Sequence, residues 1–392
     1  MNILFLGSVY SPNIYNNCLV NKVKLDWAAY FLQKSLLQGF KENSCSIECI
    51  YVPTISYKDK LFVHPEEFED EYTAYNHSLF TVNLPGVKQL FTPFVFRTSS
   101  FKLQYKPDIV FLYSVQSFSL KIASLLKRKY PQARVVLLVP DLPEFMSGSQ
   151  NKVYRGMKAV EDKLVRKYSS VVDGYVLLAP RMKERLPIGN KPWCVIEGIY
   201  NSEITCNEVE KFPHKTILYT GNLGKRYGLI DLLNAFSEIK SNDYRLWICG
   251  DGDSLPEYLE RQKIDSRIKY LGVLPREDIL KLQKQATILI NPRHRTDEYT
   301  KYSFPSKTME YMASGTPVLM SRLECLPKEY LEHIYFFEDE SVEGMRNAIE
   351  KICSKPQEEL YQFGKEASKF IFEEKTPTMQ VKHIIDFIKT IK

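Results

Sequence analysis

The chain has 392 residues, of which 44% are hydrophobic and 26% charged, with a net charge of +6. That length exceeds one ordinary domain and suits two of roughly 150–200 residues, large enough to need no disulfide or metal staple. The composition excludes a disordered or collagen-like chain, and no run approaches the ~18 apolar residues of a membrane span.

The eight cysteines show no C-x-x-C spacing and the six histidines do not pair at metal spacing. The cysteines therefore read as reduced structural thiols of a cytoplasmic protein. Charge is uneven. Residues 1–205 carry 25 Lys+Arg against 18 Asp+Glu, and residues 206–392 carry 28 against 29. The basic first half favours an anionic partner there, a membrane surface ahead of nucleic acid.

In chain order, the apolar residues 1–7 read as a first buried strand, with Gly7 opening a loop. A helix is expected over 20–37 and a strand over 46–52. Residues 57–80 have no clear period and read as a loop with a short helix. Strand 107–113, helix 117–129, strand 134–140, helix 152–168 and strands 174–178 and 193–196 complete this half. Strand 134–140 ends in a polar loop carrying Asp141 and Glu144, at the end of a parallel strand where open sheets place ligands. The polar stretch 201–214 reads as a linker. Beyond it strands and helices alternate again: strand 216–220, helix 229–239, strand 244–249, helix 255–261, strand 268–271, helix 276–285 and strand 287–290. A loop, a short helix and a strand follow over 302–320, then helices 341–354, 357–370 and 376–391. Such alternation implies parallel sheets with helices on both faces, in each half.

Three stretches of the second half could carry chemistry. Residues 219–228 (YTGNLGKRYG) follow a strand and open a helix, so the glycines could admit a ligand to the backbone while Lys225 and Arg226 supply charge for a diphosphate. A plain glycine-bearing turn is the alternative. Residues 291–301 form a charged loop containing Arg293 and Glu298, which is either a site or a solvated loop. In 302–319, Ser303 can N-cap, Pro305 suits a first helical turn, and the helix would aim free N–H groups at whatever precedes Ser306. Lys307 adds charge there, and Glu310 could accept from sugar hydroxyls. Asp251 and Asp253 form an Asp-x-Asp that could hold Mg²⁺, or could simply be turn residues. Asp141 and Glu144 are the best carboxylates of the first half. No Gly-x-Ser-x-Gly and no P-loop occurs, which weakens hydrolase and kinase readings.

Taken together, the 221–228 loop, 246–252 (LWICGDG), 268–275 (IKYLGVLP), 290–293 (INPR) and 304–318 resemble glycosyltransferase family 4 in order and spacing. The resemblance implies the GT-B fold, an α/β architecture of two Rossmann-like doubly wound domains facing across a cleft. Domain one would span 1–205 and bind the acceptor, with Gly7, Asp141 and Glu144 on that side. Domain two would span 206–373 and bind a UDP- or GDP-linked sugar, with the last helix, 374–392, packing back on domain one. It further implies retaining transfer to a glycan or lipid-linked acceptor in cell-surface or capsular polysaccharide synthesis, without metal or other cofactor. The protein would sit in the cytoplasm, at the inner membrane face.

By the same resemblance Glu310 would bind the ribose, and the backbone of Ser303, Phe304, Pro305, Ser306, Lys307 and Thr308 would hold the diphosphate with Lys225 and Arg226. The backbone of Val273 and Leu274 would face the base. Gly221, Asn222, Gly224, Arg293, Glu298 and Tyr302 complete the donor wall, and Asp141 and Glu310 are the candidate catalytic carboxylates. Two departures from the family pattern stand out. Tyr302 occupies a position that commonly holds Glu, with Glu298 nearby. The family's first-loop cations would fall near Asn222 and Tyr227, whereas here they are Lys225 and Arg226. A nucleotide-sugar 2-epimerase and a non-catalytic nucleotide-sugar-binding subunit share the same pattern.

Overall fold

The computed structural model describes residues 1–391 other than 22, 24, 57, 85, 143, 145–151 and 202–208. It divides into two compact units, Met1–Ile199 with Thr376–Lys392, and Tyr200–Lys375. The expected boundary at 205/206 lies outside the described residues.

The first unit runs β1 (Asn2–Gly7), α1 (Pro12–Val20), α2 (Trp27–Glu42), β2 (Ser46–Tyr51), β3 (Phe62–Val63), β4 (Glu66–Phe68), β5 (Tyr75–Ser78), β6 (Thr81–Val82) and α3 (Val87–Thr98). It continues β7 (Ile109–Tyr113), α4 (Ser117–Lys129), β8 (Arg134–Val139), α5 (Lys152–Tyr168), β9 (Gly174–Leu177) and β10 (Trp193–Val195). Its main sheet has the order β10-β9-β8-β7-β1-β2-β5-β4 and is parallel except for the β4–β5 pair. Strand β7 (IVFLY) is buried throughout, and β8 (RVVLLV) after its first residue, as central strands covered on both faces must be.

The second unit runs β11 (Lys215–Thr220), α6 (Leu229–Glu238), β12 (Tyr244–Cys249), α7 (Leu255–Ile264), β13 (Ile268–Tyr270), α8 (Arg276–Gln285) and β14 (Ile288–Asn291). Then come α9 (Lys307–Ala313), β15 (Val318–Met320), β16 (Tyr335–Phe336), α10 (Val342–Cys353) and α11 (Gln357–Glu374). Its parallel sheet has the order β13-β12-β11-β14-β15-β16. The last helix, α12 (Pro377–Thr390), belongs to the first unit, where Val381, Ile384 and Ile388 join the core beneath α2.

Strand order places the sites. In each sheet the connections reverse direction beside the first strand: between β1 and β7, and between β11 and β14. The loops leaving neighbouring strands diverge there and open a crevice. In the second unit those loops are 221–228 and 291–301.

Four local expectations change. The helix expected over 20–37 begins only at Trp27, where Asp26 caps α2 through Ala29 N, and runs on to Glu42, while α1, ended by Asn21 donating its N–H to Asn17 O and Leu19 O, precedes it where no helix was expected. Among the described residues, 57–80 hold short strands and no helix, paired by β4–β5 and β3–β6. Helix α3, with Pro93 inside it, had no counterpart in the sequence reading. Ser303 does not cap α9. Ser306 occupies the cap position without a side-chain bond, and Pro305 lies before the helix.

Candidate functional site

Glu310 projects from the first turn of α9, and its Oε1 is held twice. Gln283 Nε2, from α8, donates to it at 2.8 Å, and Lys307 Nζ, one turn earlier on α9, at 3.2 Å. Gln283 is fully buried, and its Nε2 also lies 3.0 Å from Thr220 Oγ1 at the end of β11. Tyr311 OH, also buried, donates to Thr220 O at 2.9 Å and accepts from Thr220 N at 2.8 Å. Three elements, α8, α9 and β11, thus fix one carboxylate. Among the described residues none donates to Glu310 Oε2. Lys307 reaches toward the first loop as well: its Cε is 3.6 Å from where a Gly221 Cβ would stand. Gly221, Lys307 and Glu310 are therefore brought together.

The backbone before α9 presents donors. Thr308 N–H is used by Pro305 O and Met309 N–H by Ser306 O. Among the described residues the N–H groups of Ser303, Phe304, Ser306 and Lys307 donate to no protein acceptor. Phe304 is buried against Tyr330, with ring centroids 5.3 Å apart, and Ser303 O accepts from Cys325 Sγ, so the segment is anchored from behind. The Thr308 hydroxyl points inward to Met320 Sδ.

A second cluster joins the two loops. Arg226 lies over the Tyr227 ring at 4.9 Å and the Tyr299 ring at 5.4 Å, and Arg293 lies over Tyr227 at 4.6 Å. Arg226 Nη2 donates to Tyr227 OH, and Tyr299 OH donates to Arg226 O. Two guanidinium groups on one buried phenol make this corner strongly electropositive. Lys225 instead points to Glu257 of α7, 2.5 Å away. Asn222 and Glu298 are exposed, whereas Tyr302 is buried and is no part of an open wall. Gly224 caps the short turn that carries Lys225 and Arg226. Val273 is 72% exposed and follows Gly272, whose carbonyl accepts from Gly250 N; Leu274 is half-buried.

The glycines have a different use from the one expected. A side chain at Gly228 would overlap the Pro292 carbonyl, and one at Gly250 the Gly221 carbonyl. Both have φ values reserved for glycine, +75° and +138°. They let neighbouring turns pack backbone on backbone, whereas a side chain at Gly221 would meet only ordinary contacts, Lys307 and Tyr219 at 3.6 Å. Asp251 and Asp253 are turn residues: Asp253 Oδ1 accepts from Lys225 N and Asp251 Oδ1 from Gly252 N. Among the described residues no group of three or more His, Cys, Asp or Glu could hold a metal ion.

In the first unit, Gly7 ends β1 at the reversal point, where Ser8 N donates to Gln33 Oε1. Beside it, Ser114 ends β7 with φ 73°, a strained value for a residue with a side chain. Asp141, at the end of β8, is solvent-accessible, yet the protein around it and then the charge of Asp26 push its carboxyl up to about 6. Buried Tyr113 is raised by desolvation and by the same two carboxylates. A carboxyl titrating there can take or give a proton near neutral pH. Glu144 is exposed and lies 3.6 Å from Arg185.

The sequence reading missed Gln283, Thr220, Tyr311 and Asp26. Gln283 carried a signal: it follows buried Leu280 by three residues, a polar residue on the apolar face of α8.

Residues 214–355 match the family described as Glycosyl transferases group 1. No curated protein sequence matches the chain. Among solved structures it is similar to sucrose-phosphate synthase from Thermosynechococcus elongatus, at 13% identity and TM-score 0.61 over 99% of this chain and 98% of that one. Anabaena HepE in complex with UDP is similar at 13% identity and TM-score 0.61, over 100% of both chains. The pneumococcal O-GlcNAc transferase GtfA, in complex with UDP and GlcNAc, is similar at 12% identity and TM-score 0.57, over 100% of this chain and 99% of that one. The chain has the GT-B fold of two Rossmann-like domains.

Proposed function

We propose that the protein is a retaining glycosyltransferase of the family 4 type, moving a sugar from a nucleotide-diphosphate sugar to a glycan or lipid-linked acceptor. The observation that carries this is Glu310: one oxygen is locked by Gln283 and Lys307, no described residue donates to the other, and Lys307 also lies beside Gly221. That is the arrangement a ribose diol needs, since a fixed carboxylate oxygen accepts two hydroxyls without reorganising. The matched span 214–355 contains every residue of this cluster and of the Arg226–Arg293 corner.

In this reading the unsatisfied N–H groups of Ser303–Lys307, with Lys307, Arg226 and Arg293, stabilise the leaving diphosphate. Charge developing on the departing phosphate meets donors already in position. The acceptor hydroxyl then attacks on the face the diphosphate leaves, and its proton passes to the phosphate side. Asp141, from the first unit, is the group assigned to orient the acceptor. The donor is a substrate, and no metal takes part.

The test is a screen of UDP- and GDP-sugars with membrane extract as acceptor source, reading release of nucleotide diphosphate. Glu310→Ala should weaken UDP or GDP binding at least about tenfold, the loss of a charge-assisted pair. An unchanged dissociation constant removes the ribose assignment. Sugar conversion without acceptor identifies an epimerase instead.

A further inference from the structure

We infer that Asn291 is a specificity-determining residue for the donor sugar, its amide pairing with adjacent hydroxyls of that sugar. This rests on the transferase reading and names the part of the donor that the end of β14 takes. Register places the residue. Leu218 of β11 pairs with Leu289 of β14, and Asn291 pairs with Met320 of β15. Two residues on from Leu218 and Leu289, Thr220 and Asn291 stand side by side. Thr220, Asn291 and Met320 are the last residues of their strands, so they form one row across the carboxyl ends of three parallel strands. Members of such a row share a face of the sheet. Here it is the face that α9 covers, because Tyr311 OH bonds Thr220 and the Thr308 hydroxyl donates to Met320 Sδ at 3.7 Å.

Both ends of the row are engaged and its middle is not. Thr220 Oγ1 accepts from Gln283 Nε2, which also holds Glu310. Asn291 is 4% exposed, and among the described residues its amide makes no hydrogen bond. Buried polar groups in native folds are almost always paired, and leaving one unpaired costs stability, so an orphan amide marks a place for a bound group. The strand order says which group. Along the carboxyl edge the order is β13, β12, β11, β14. In the transferase reading Val273, beyond β13, faces the base, and Glu310, tied to β11 through Gln283 and Thr220, holds the ribose. Strand β14 comes next, so a donor laid along this edge brings its diphosphate and sugar to Asn291. The diphosphate already has Lys307, Arg226 and Arg293. Its oxygens only accept, which would leave Asn291 Oδ1 an orphan still. Adjacent sugar hydroxyls give one hydrogen bond and take another, which satisfies both ends of the amide.

The test is calorimetry on the full chain with UDP, GDP, UDP-glucose, UDP-galactose, UDP-N-acetylglucosamine and GDP-mannose. Asn291→Leu should bind the bare nucleotide as the unaltered protein does. It should bind the tightest nucleotide-sugar at least about fivefold more weakly, the loss of neutral hydrogen bonds to hydroxyls. Its melting temperature should hold or rise, because a leucine of similar size removes an unsatisfied buried amide. Monodeoxy forms of that donor probe the unaltered protein without any substitution: two adjacent positions should each weaken binding, and neither should matter in Asn291→Leu. An unchanged preference between nucleotide-sugar and nucleotide, or an equal loss of both, overturns the proposal and leaves the transferase reading standing. A lower melting temperature with that preference intact overturns it in favour of a structural amide. Failure of the unaltered protein to bind any UDP or GDP species removes the donor site itself, and the proposal with it.

Discussion

Glu310 depends on Gln283, a residue 27 positions earlier in sequence. Gln283 holds the carboxylate from a fully buried position, and its own Oε1 has no partner among the described residues. A buried amide is tolerated there because its two donors reach Glu310 and Thr220. Gln283→Leu would leave Glu310 Oε1 with Lys307 alone and free the carboxylate to rotate. We expect UDP or GDP affinity to fall about tenfold by calorimetry, for the loss of one charged hydrogen bond. Affinity equal to that of the unaltered protein would mean that Lys307 alone fixes the carboxylate.

The loops show how elements are joined as much as how ligands are held. Gly228 begins α6 at φ +75° and lies against the Pro292 carbonyl, which fastens the 221–228 loop to the 291–301 loop. A Cβ there meets both a backbone atom that cannot move away and a left-handed conformation. Gly228→Ala should cost about 2 kcal/mol or more in denaturant unfolding, in the range of strained backbone combined with a steric clash. Since Arg226 and Arg293 meet across the same joint on Tyr227, nucleotide binding should weaken in parallel.

The chain leaves the first unit after Ile199 and returns at Thr376. The returning α12 is built in. Asn43 Nδ2 donates to Thr378 O at 2.9 Å, and Gly39 of α2 lies where a side chain would strike the Pro377 carbonyl and Val381. The first unit's core is therefore completed by a helix that follows the whole second unit in sequence. Ile384 is fully buried, so Ile384→Ala should cost about 2–5 kcal/mol. Hydrogen exchange should then rise in β1 and α2, and not in β11 or β14, although Ile384 follows the second unit in sequence. Equal loss of protection in both units would show that they unfold as one.

The sequence by itself determined the alternation of strands and helices, several helix bounds to the residue, and the two loops beside β11 and β14. Those features are local: period, caps and turn residues act within a few positions, and buried parallel strands announce themselves as unbroken apolar runs. It misread the stretch from 57 to 98, where short strands and a Pro-containing helix are stabilised by packing rather than by period. Glu310 and Lys307 were legible because α9 begins beside a recognisable turn. Gln283, Tyr311 and Asp26 were not, because their roles depend on hydrogen bonds and charges from residues distant in sequence. Only the tertiary structure separated Gly228 and Gly250, whose side chains would strike a neighbouring carbonyl, from Gly221, turned Lys225 toward Glu257, and buried Tyr302. Each of those outcomes is set by which backbone or side chain arrives alongside, and sheet order, not sequence order, decides that.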